Sequence, residues 1–264
     1  MNDDLALVAH DLGQVAVAVG TRVLLVGAYA RDLCLGAVEP TARMTNDADF
    51  AVLLESWAAV DAFFAACAGS FRDVDRGELK MYHRATGLKV DLVPCGPIEV
   101  PPGTLSLRGS RRRLNTVGLV ECFALGRPLG ATQVVVPPPA GFVVLKLLAF
   151  TDRREPRDLR DLGYVLHRIP FDPEWIWEDD ELLAAFSDGS LTYDDARFWY
   201  AGREIRRQFA AETVAAVLVA LRQLRGDRPD LRVLTVESLD PDERLTRADR
   251  MLAVLDRAVC GGPA

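Results

Sequence analysis

A chain of 264 residues, half of them hydrophobic, is long enough for one large or two ordinary domains and too apolar to be disordered. Its net charge of −7 argues against a general nucleic-acid coat protein, and its apolar runs fall far short of a membrane span. Five scattered cysteines without a C-x-x-C pair suit reduced thiols better than a disulfide framework or a zinc site. The acidic start, Met1-Asn2-Asp3-Asp4, is unlike a signal peptide, so a soluble, cytoplasmic protein is expected.

In chain order, residues 4–19 read as an amphipathic opening helix, 22–26 as a buried strand and 28–36 as a short helix ending at Gly36. Residues 47–54 form a second strand. Ser56 is a good N-cap for a helix over 57–67, which Gly69 closes. Residues 71–75 and 79–84 read as a hairpin turning near Arg76-Gly77, and 88–93 as a strand ended by Pro94. Pro97, Pro101, Pro102 and Gly103 mark a loop, and 117–124 and 132–136 read as two further strands about a Gly126–Gly130 turn. Pro137-Pro138-Pro139 is a boundary after which everything reads helical. The expected fold is α+β, with a mixed-sheet domain over 1–136 and a helical domain over 137–264 that contributes to a nucleotide cleft.

Chemistry concentrates at three points of the first domain. The turn Gly27-Ala28-Tyr29 ends the apolar run Val23-Leu24-Leu25-Val26, and such a strand-to-helix turn offers free backbone N–H groups to a phosphate. In Thr45-Asn46-Asp47-Ala48-Asp49 the two carboxylates share one face of a strand and repel, and a divalent metal with oxygen ligands, Mg²⁺ above all, is the simplest neutraliser. Asp91 lies inside an apolar strand with Lys89 and Val93 on its face, where an unpaired acid is costly. A hydrogen bond or an arginine would satisfy it, but behind an Asp-x-Asp it also completes a two-metal set. Two acids then bridge both ions while the third serves the nucleophile. Phosphate turn and metal carboxylates together read as phosphoryl or nucleotidyl transfer.

The helical part supplies cations. Lys146 is the single charge between Phe142 and Phe150, and either snorkels or meets an anion in a cleft. Arg153 lies two turns along the same face. In the next helix Leu159, Leu162, Leu166 and Ile169 form the core stripe. At 100° per residue Asp158 falls about 60° from its centre and Asp161 about 120°. Asp158 is therefore expected to border a cleft, and Asp161 to pair with Arg157 on the surface.

These residues resemble a known family. Gly27-Ala28-Tyr29, Asp47-Ala48-Asp49 and Asp91 are similar to the signature of the DNA polymerase β-type nucleotidyltransferases. The segment Leu145-Lys146-Leu147…Arg153…Arg157-Asp158-Leu159-Arg160-Asp161-Leu162 resembles the AbiEii/MenT-like toxin nucleotidyltransferases. The resemblance implies an enzyme that moves NMP from an NTP with two Mg²⁺ ions bound by Asp47, Asp49 and Asp91, the last also acting as base. It places the triphosphate on Gly27 and the backbone of Ala28, with Tyr29 and Arg153 nearby. Lys146 would contact nucleotide phosphates and Asp158 would complete the site. Ala28 departs from the Gly-Gly or Gly-Ser common at this turn.

The acceptor is read from charge. Residues 100–120 hold Arg108, Arg111, Arg112 and Arg113 and no acid, while residues 197–228 hold seven arginines against three acids. Arg203, Arg206 and Arg207 share a helix face. Both patches can be plain solvated surface. If they touch a polyanion, the acceptor is an RNA 3′ end, tRNA by the resemblance, and a cognate antitoxin is a further implied partner. Two rival readings stay open: an aminoglycoside-type adenylyltransferase, with Glu178, Asp179, Asp180 and Glu181 as an acidic acceptor pocket or merely a helix cap, and a non-catalytic nucleotide-binding relative.

Overall fold

The computed structural model describes residues 3–36, 47–227, 230–235 and 240–261. Met1 and Asn2, Thr45 and Asn46 before the acid pair, and Arg228 lie outside them. The fold is α+β, in two compact units, Met1–Pro138 and Pro139–Ala264.

The first unit runs α1 (Asp3–Val19), β1 (Val23–Val26), α2 (Gly27–Cys34), β2 (Asp47–Leu53), α3 (Trp57–Cys67), β3 (Phe71–Asp75), β4 (Lys80–His83) and β5 (Lys89–Cys95). A small hairpin of β6 (Thr104–Ser106) and β7 (Arg113–Asn115) follows, then α4 (Leu119–Leu125), β8 (Arg127–Pro128) and β9 (Val134–Val136). Among the described residues the main sheet has the order β3-β4-β5-β2-β1-β9-β8. It is mixed: β1 runs antiparallel to β2 and parallel to β9, and β2 runs parallel to β5. Central strand β1 is buried along Val23, Leu24 and Leu25, as a strand covered on both faces must be. Ser56 caps α3 by accepting a hydrogen bond from the Ala59 N–H at 3.2 Å. Asp75 closes the β3–β4 turn by accepting from the N–H groups of Gly77 and Glu78.

Three sequence expectations change here. Strand β5 runs through Pro94 to Cys95 instead of ending at Pro94. Its pairing with β4 stops at Asp91, so the missing N–H at Pro94 interrupts no ladder on that side. The segment read as a strand over 117–124 is helix α4, whose buried Leu119, Cys122 and Phe123 recur at helical spacing. The proline-rich loop continues into the β6–β7 hairpin, and Arg108, Arg111 and Arg112 lie in its connection.

The second unit comprises α5 (Pro139–Arg153), α6 (Pro156–Leu166), α7 (Asp180–Ser187), α8 (Ala196–Gln208), α9 (Ala211–Asp227) and α10 (Pro241–Cys260). Leu159, Leu162, Leu166 and Ile169 are buried, as their spacing requires. Gly202 in α8 has no room for a side chain, because Ala258 and the Leu255 carbonyl of α10 occupy that space. Among the described residues no helix is long and apolar enough to cross a membrane. Of the cysteines, Cys34, Cys67, Cys95 and Cys122 are buried free thiols and Cys260 is exposed.

Candidate active site

Strand register sets the acids side by side. Asp49 lies opposite Val26, the last residue of β1, and beside Asp91 on β5. Asp47 lies beside Lys89. Residues in register share a face of the sheet, so Asp47, Asp49, Lys89 and Asp91 project together. All four are half-buried, while Ala48, Phe50, Val90 and Leu92 between them are buried on the other face.

Gly27 brings the backbone of α2 onto this face. Its φ of +71° is one that L side chains disfavour, and a Cβ there would collide with the Asp49 carboxylate. Val26 gives α2 no side-chain cap, so the positive end of the helix, with the N–H groups of Gly27, Ala28 and Tyr29 in its first turn, begins against Asp49. The turn and the second acid of the pair are thus one construction.

Lys89 was given no role by sequence reasoning. Its ammonium donates to Asp91 Oδ2 at 2.5 Å. That bond pushes the lysine above its ordinary range, and the charges of Asp91, Asp47 and Asp49 push the same way. The sequence signal was present, because residues two apart on a strand share a face. Arg31 was also missed. It is buried one turn beyond Gly27 on α2 and forks onto Asp32, its Nε at 2.8 Å.

Among the described residues, no three His, Cys, Asp or Glu side chains are gathered into a cage for a metal ion, and Asp91 is engaged by Lys89 instead. The donor chemistry still fits a hard divalent cation: three carboxylates in adjacent strands face one way, with the Lys89 ammonium on Asp91.

The second unit contains a buried ion cluster. Lys146 on α5 donates to Asp158 Oδ1 at 3.1 Å and pairs with Asp161 Oδ2 at 2.8 Å. Arg153 forks onto both Asp158 oxygens at 2.6 Å. Asp158 is fully buried. Burial raises its pKa, but the Arg153 hydrogen bonds and the Lys146 charge outweigh that and hold the carboxyl below its usual range. Lys146 therefore does not snorkel. Asp161 is not paired with Arg157 on the surface either; it is 2% exposed, and Arg157 pairs with Glu155. Helix α5 packs over this side of α6, so even the 120° flank is covered.

The two arginine patches differ. Arg203 pairs with Asp179 and Glu181, Arg206 with Glu181 and Arg207 with Glu204, so that helix face is neutralised. Arg108 is held by Asp61 and lies over the Trp57 ring. Arg111, Arg112 and Arg113 are exposed, and among the described residues none is ion-paired. In the acidic run, Asp179 caps α7 by accepting from the Leu182 N–H at 2.9 Å.

A family model described as "Nucleotidyl transferase AbiEii toxin, Type IV TA system" matches residues 12–250. The chain belongs to this family. It is a nucleotidyltransferase, in keeping with the polymerase β-type signature of Gly27, Asp47, Asp49 and Asp91. Among solved structures, this AbiEii-family chain is similar to a Thermotoga maritima CCA-adding enzyme complexed with tRNA. Identity is 12% and the TM-score 0.33, over 98% of this chain and 83% of that one. No curated protein matches it.

Proposed function

We propose that this AbiEii-family chain transfers NMP from an NTP to the 3′ hydroxyl of an RNA, of the tRNA class that the resemblance implies, in a Mg²⁺-dependent reaction. The observation that carries this reading is Asp49, held beneath Gly27 at the start of α2 and in register with Asp91. A triphosphate on the first-turn N–H groups of Gly27, Ala28 and Tyr29 then has the acids beside it. Asp47, Asp49 and Asp91 would hold Mg²⁺, which supplies charge neutralisation and lowers the pKa of a bound hydroxyl. The acceptor oxygen bonds to the α-phosphorus, the bond to the β-phosphate oxygen breaks, and pyrophosphate leaves. The hydroxyl proton passes to a carboxylate, which we assign to Asp91 once it releases Lys89. The family resemblance would give Lys146 and Arg153 a further role at nucleotide phosphates; within the helical unit Asp158 holds both.

RNA is favoured as acceptor by Arg111, Arg112 and Arg113, exposed cations on an acidic protein. The acidic run does line a cavity of about 610 Å³, but Arg203, Arg206 and Arg207 line it too and engage Asp179, Glu181 and Glu204, which disfavours a polycationic aminoglycoside there. A cognate antitoxin is part of the same proposal, from the family's description as a toxin. The test is incubation of the protein with each labelled NTP, Mg²⁺ or EDTA, and total cell extract. Label on RNA 3′ ends, lost in EDTA and in Asp49→Asn, is expected. Label on a protein or small molecule alone would overturn the RNA assignment.

A further inference from the structure

A cavity of about 150 Å³ in the helical unit is lined by His167, Phe171, Tyr193, Arg197, Phe198 and Arg247, with Asp194 as the acid among them. It shares no residue with either charged cluster described above. Arg197 donates to the His167 carbonyl, and Arg247 Nη2 donates to the Asp194 carbonyl at 3.4 Å. Among the described residues neither guanidinium has an acid partner. The Arg197 Nε–H is a buried donor left unpaired, which is costly and favours an acceptor at this cavity, whereas the His167 ring is hydrogen-bonded by the Leu234 backbone. Burial first, then the charges of Arg247, Arg168 and Arg197, hold the imidazole below its ordinary range. The lining thus brings together two guanidinium groups that have no acid partner among the described residues, beside a neutral imidazole and the Asp194 carboxylate.

The walls are aromatic. Arg197 lies 5.6 Å over the Phe171 ring and Arg247 5.4 Å over Phe198, against which His167 packs edge-on at 5.3 Å. These contacts fix the two cations in place. Tyr193 lines the same cavity yet is 64% exposed, a flat surface on which a base can stack. Two guanidinium groups exclude a metal cation and an apolar ligand, and they match the oxygens of a phosphate. At about 30 Å³ per water molecule the space equals some five waters, ample for a phosphate though not for a whole nucleotide.

We propose that this cavity binds the phosphate of a nucleotide, with the base stacked on Tyr193. The nucleotide comes either free, as a monophosphate, or as one unit of an RNA strand. The site stands whether or not RNA is the acceptor of the transferred NMP. It is tested on the full-length protein in EDTA, titrated with inorganic phosphate, AMP and an adenylate pentanucleotide. The ring resonances of His167 are followed by NMR; the chain has only three histidines, and His167→Asn assigns the signals. AMP is expected to shift the His167 resonances. Arg247→Gln should weaken AMP by about tenfold or more, as loss of a charge-assisted bond does. Tyr193→Ala, at an exposed position, should weaken AMP and leave phosphate unchanged. A pentanucleotide that binds more tightly than AMP assigns the site to an RNA strand, and one that binds no better assigns it to the free nucleotide. Unmoved His167 resonances with all three probes, or unchanged AMP affinity in a folded Arg247→Gln variant, would overturn the site. Phosphate binding with no gain for AMP or the pentanucleotide would overturn the nucleotide assignment.

Discussion

Replacing Lys146 with methionine tests whether the α5–α6 ion cluster holds the helical unit together. Met keeps the length and apolar volume of the lysine stem, so no cavity opens and the change is electrostatic. The ammonium is 8% exposed and lies 3.1 Å from Asp158 and 2.8 Å from Asp161. Asp158 keeps its fork from Arg153, whereas Asp161, 2% exposed, loses this cation. At an effective dielectric constant of about 20, a pair at 2.8 Å is worth about 6 kcal/mol. Relief from desolvating the ammonium offsets part of this, so the expected loss is about 3–5 kcal/mol, the range for breaking a buried pair. Urea unfolding followed by circular dichroism measures it, with Lys146→Met/Asp161→Asn closing a double-mutant cycle. The double variant should recover at least about 2 kcal/mol, because it also removes the buried carboxylate charge that faced Lys146. A loss below about 1 kcal/mol, or no recovery, would show that the cluster does not bear on stability. Calorimetry on the folded variant then addresses the nucleotide: a direct phosphate contact predicts a loss of about 1.5–3 kcal/mol in NTP binding.

Asp49→Asn should abolish nucleotidyl transfer yet change metal-free stability by no more than about 1 kcal/mol, because lost attraction to the start of α2 is offset by relief of carboxylate repulsion; a larger loss in a metal-free melt would make Asp49 structural. Gly27→Ala should cost at least about 1–2 kcal/mol from its left-handed backbone alone and also crowd Asp49, so thermal melts and transfer assays should both fall, and wild-type activity would refute the close approach. Asp158 and Asp195 carry depressed pKa values: burial raises each, but hydrogen bonds from Arg153 and Arg250 prevail. Their stabilisation is complete above the ordinary value of 3.8 and is lost as pH falls through the lower folded values, so melting midpoints should drop from about pH 4 downward, and less so in Asp195→Asn. Neutralising Arg111, Arg112 and Arg113 together should weaken RNA binding and lower its salt slope by about 0.7 per lost phosphate contact, while NTP binding survives; unchanged affinity in filter binding at low and high salt would remove the hairpin from the footprint.

Local pattern was enough to place the acids. The two-residue period of a strand put Asp47 and Asp49 on one face, the apolar run before Gly27 announced a strand-to-helix turn, and Ser56 signalled the start of α3. These features depend on a few consecutive residues, so sequence carries them. What sequence left open was which strand lies beside which. Only the sheet order sets Asp91 next to Asp49, and only that order brings Lys89 into the field of three carboxylates. Helix α4 was misread because a short apolar run fits both periods until the buried face is known.

The charged residues show the same division. Sequence marked Lys146, Arg153 and Asp158, but the burial of Asp161 followed from α5 packing over α6, which no angle computed on α6 alone could supply. Both arginine patches looked alike as runs of charge, yet acids of α7 and α8 neutralise one, while Arg111, Arg112 and Arg113 stay unpaired among the described residues. The His167 cavity draws on three stretches of chain up to eighty residues apart, and nothing in any one of them announces it. Residue type and periodicity decide which side chains can do chemistry. Which charge meets which, and which atom is left without a partner, depends on distances that exist only once the helices and strands have packed.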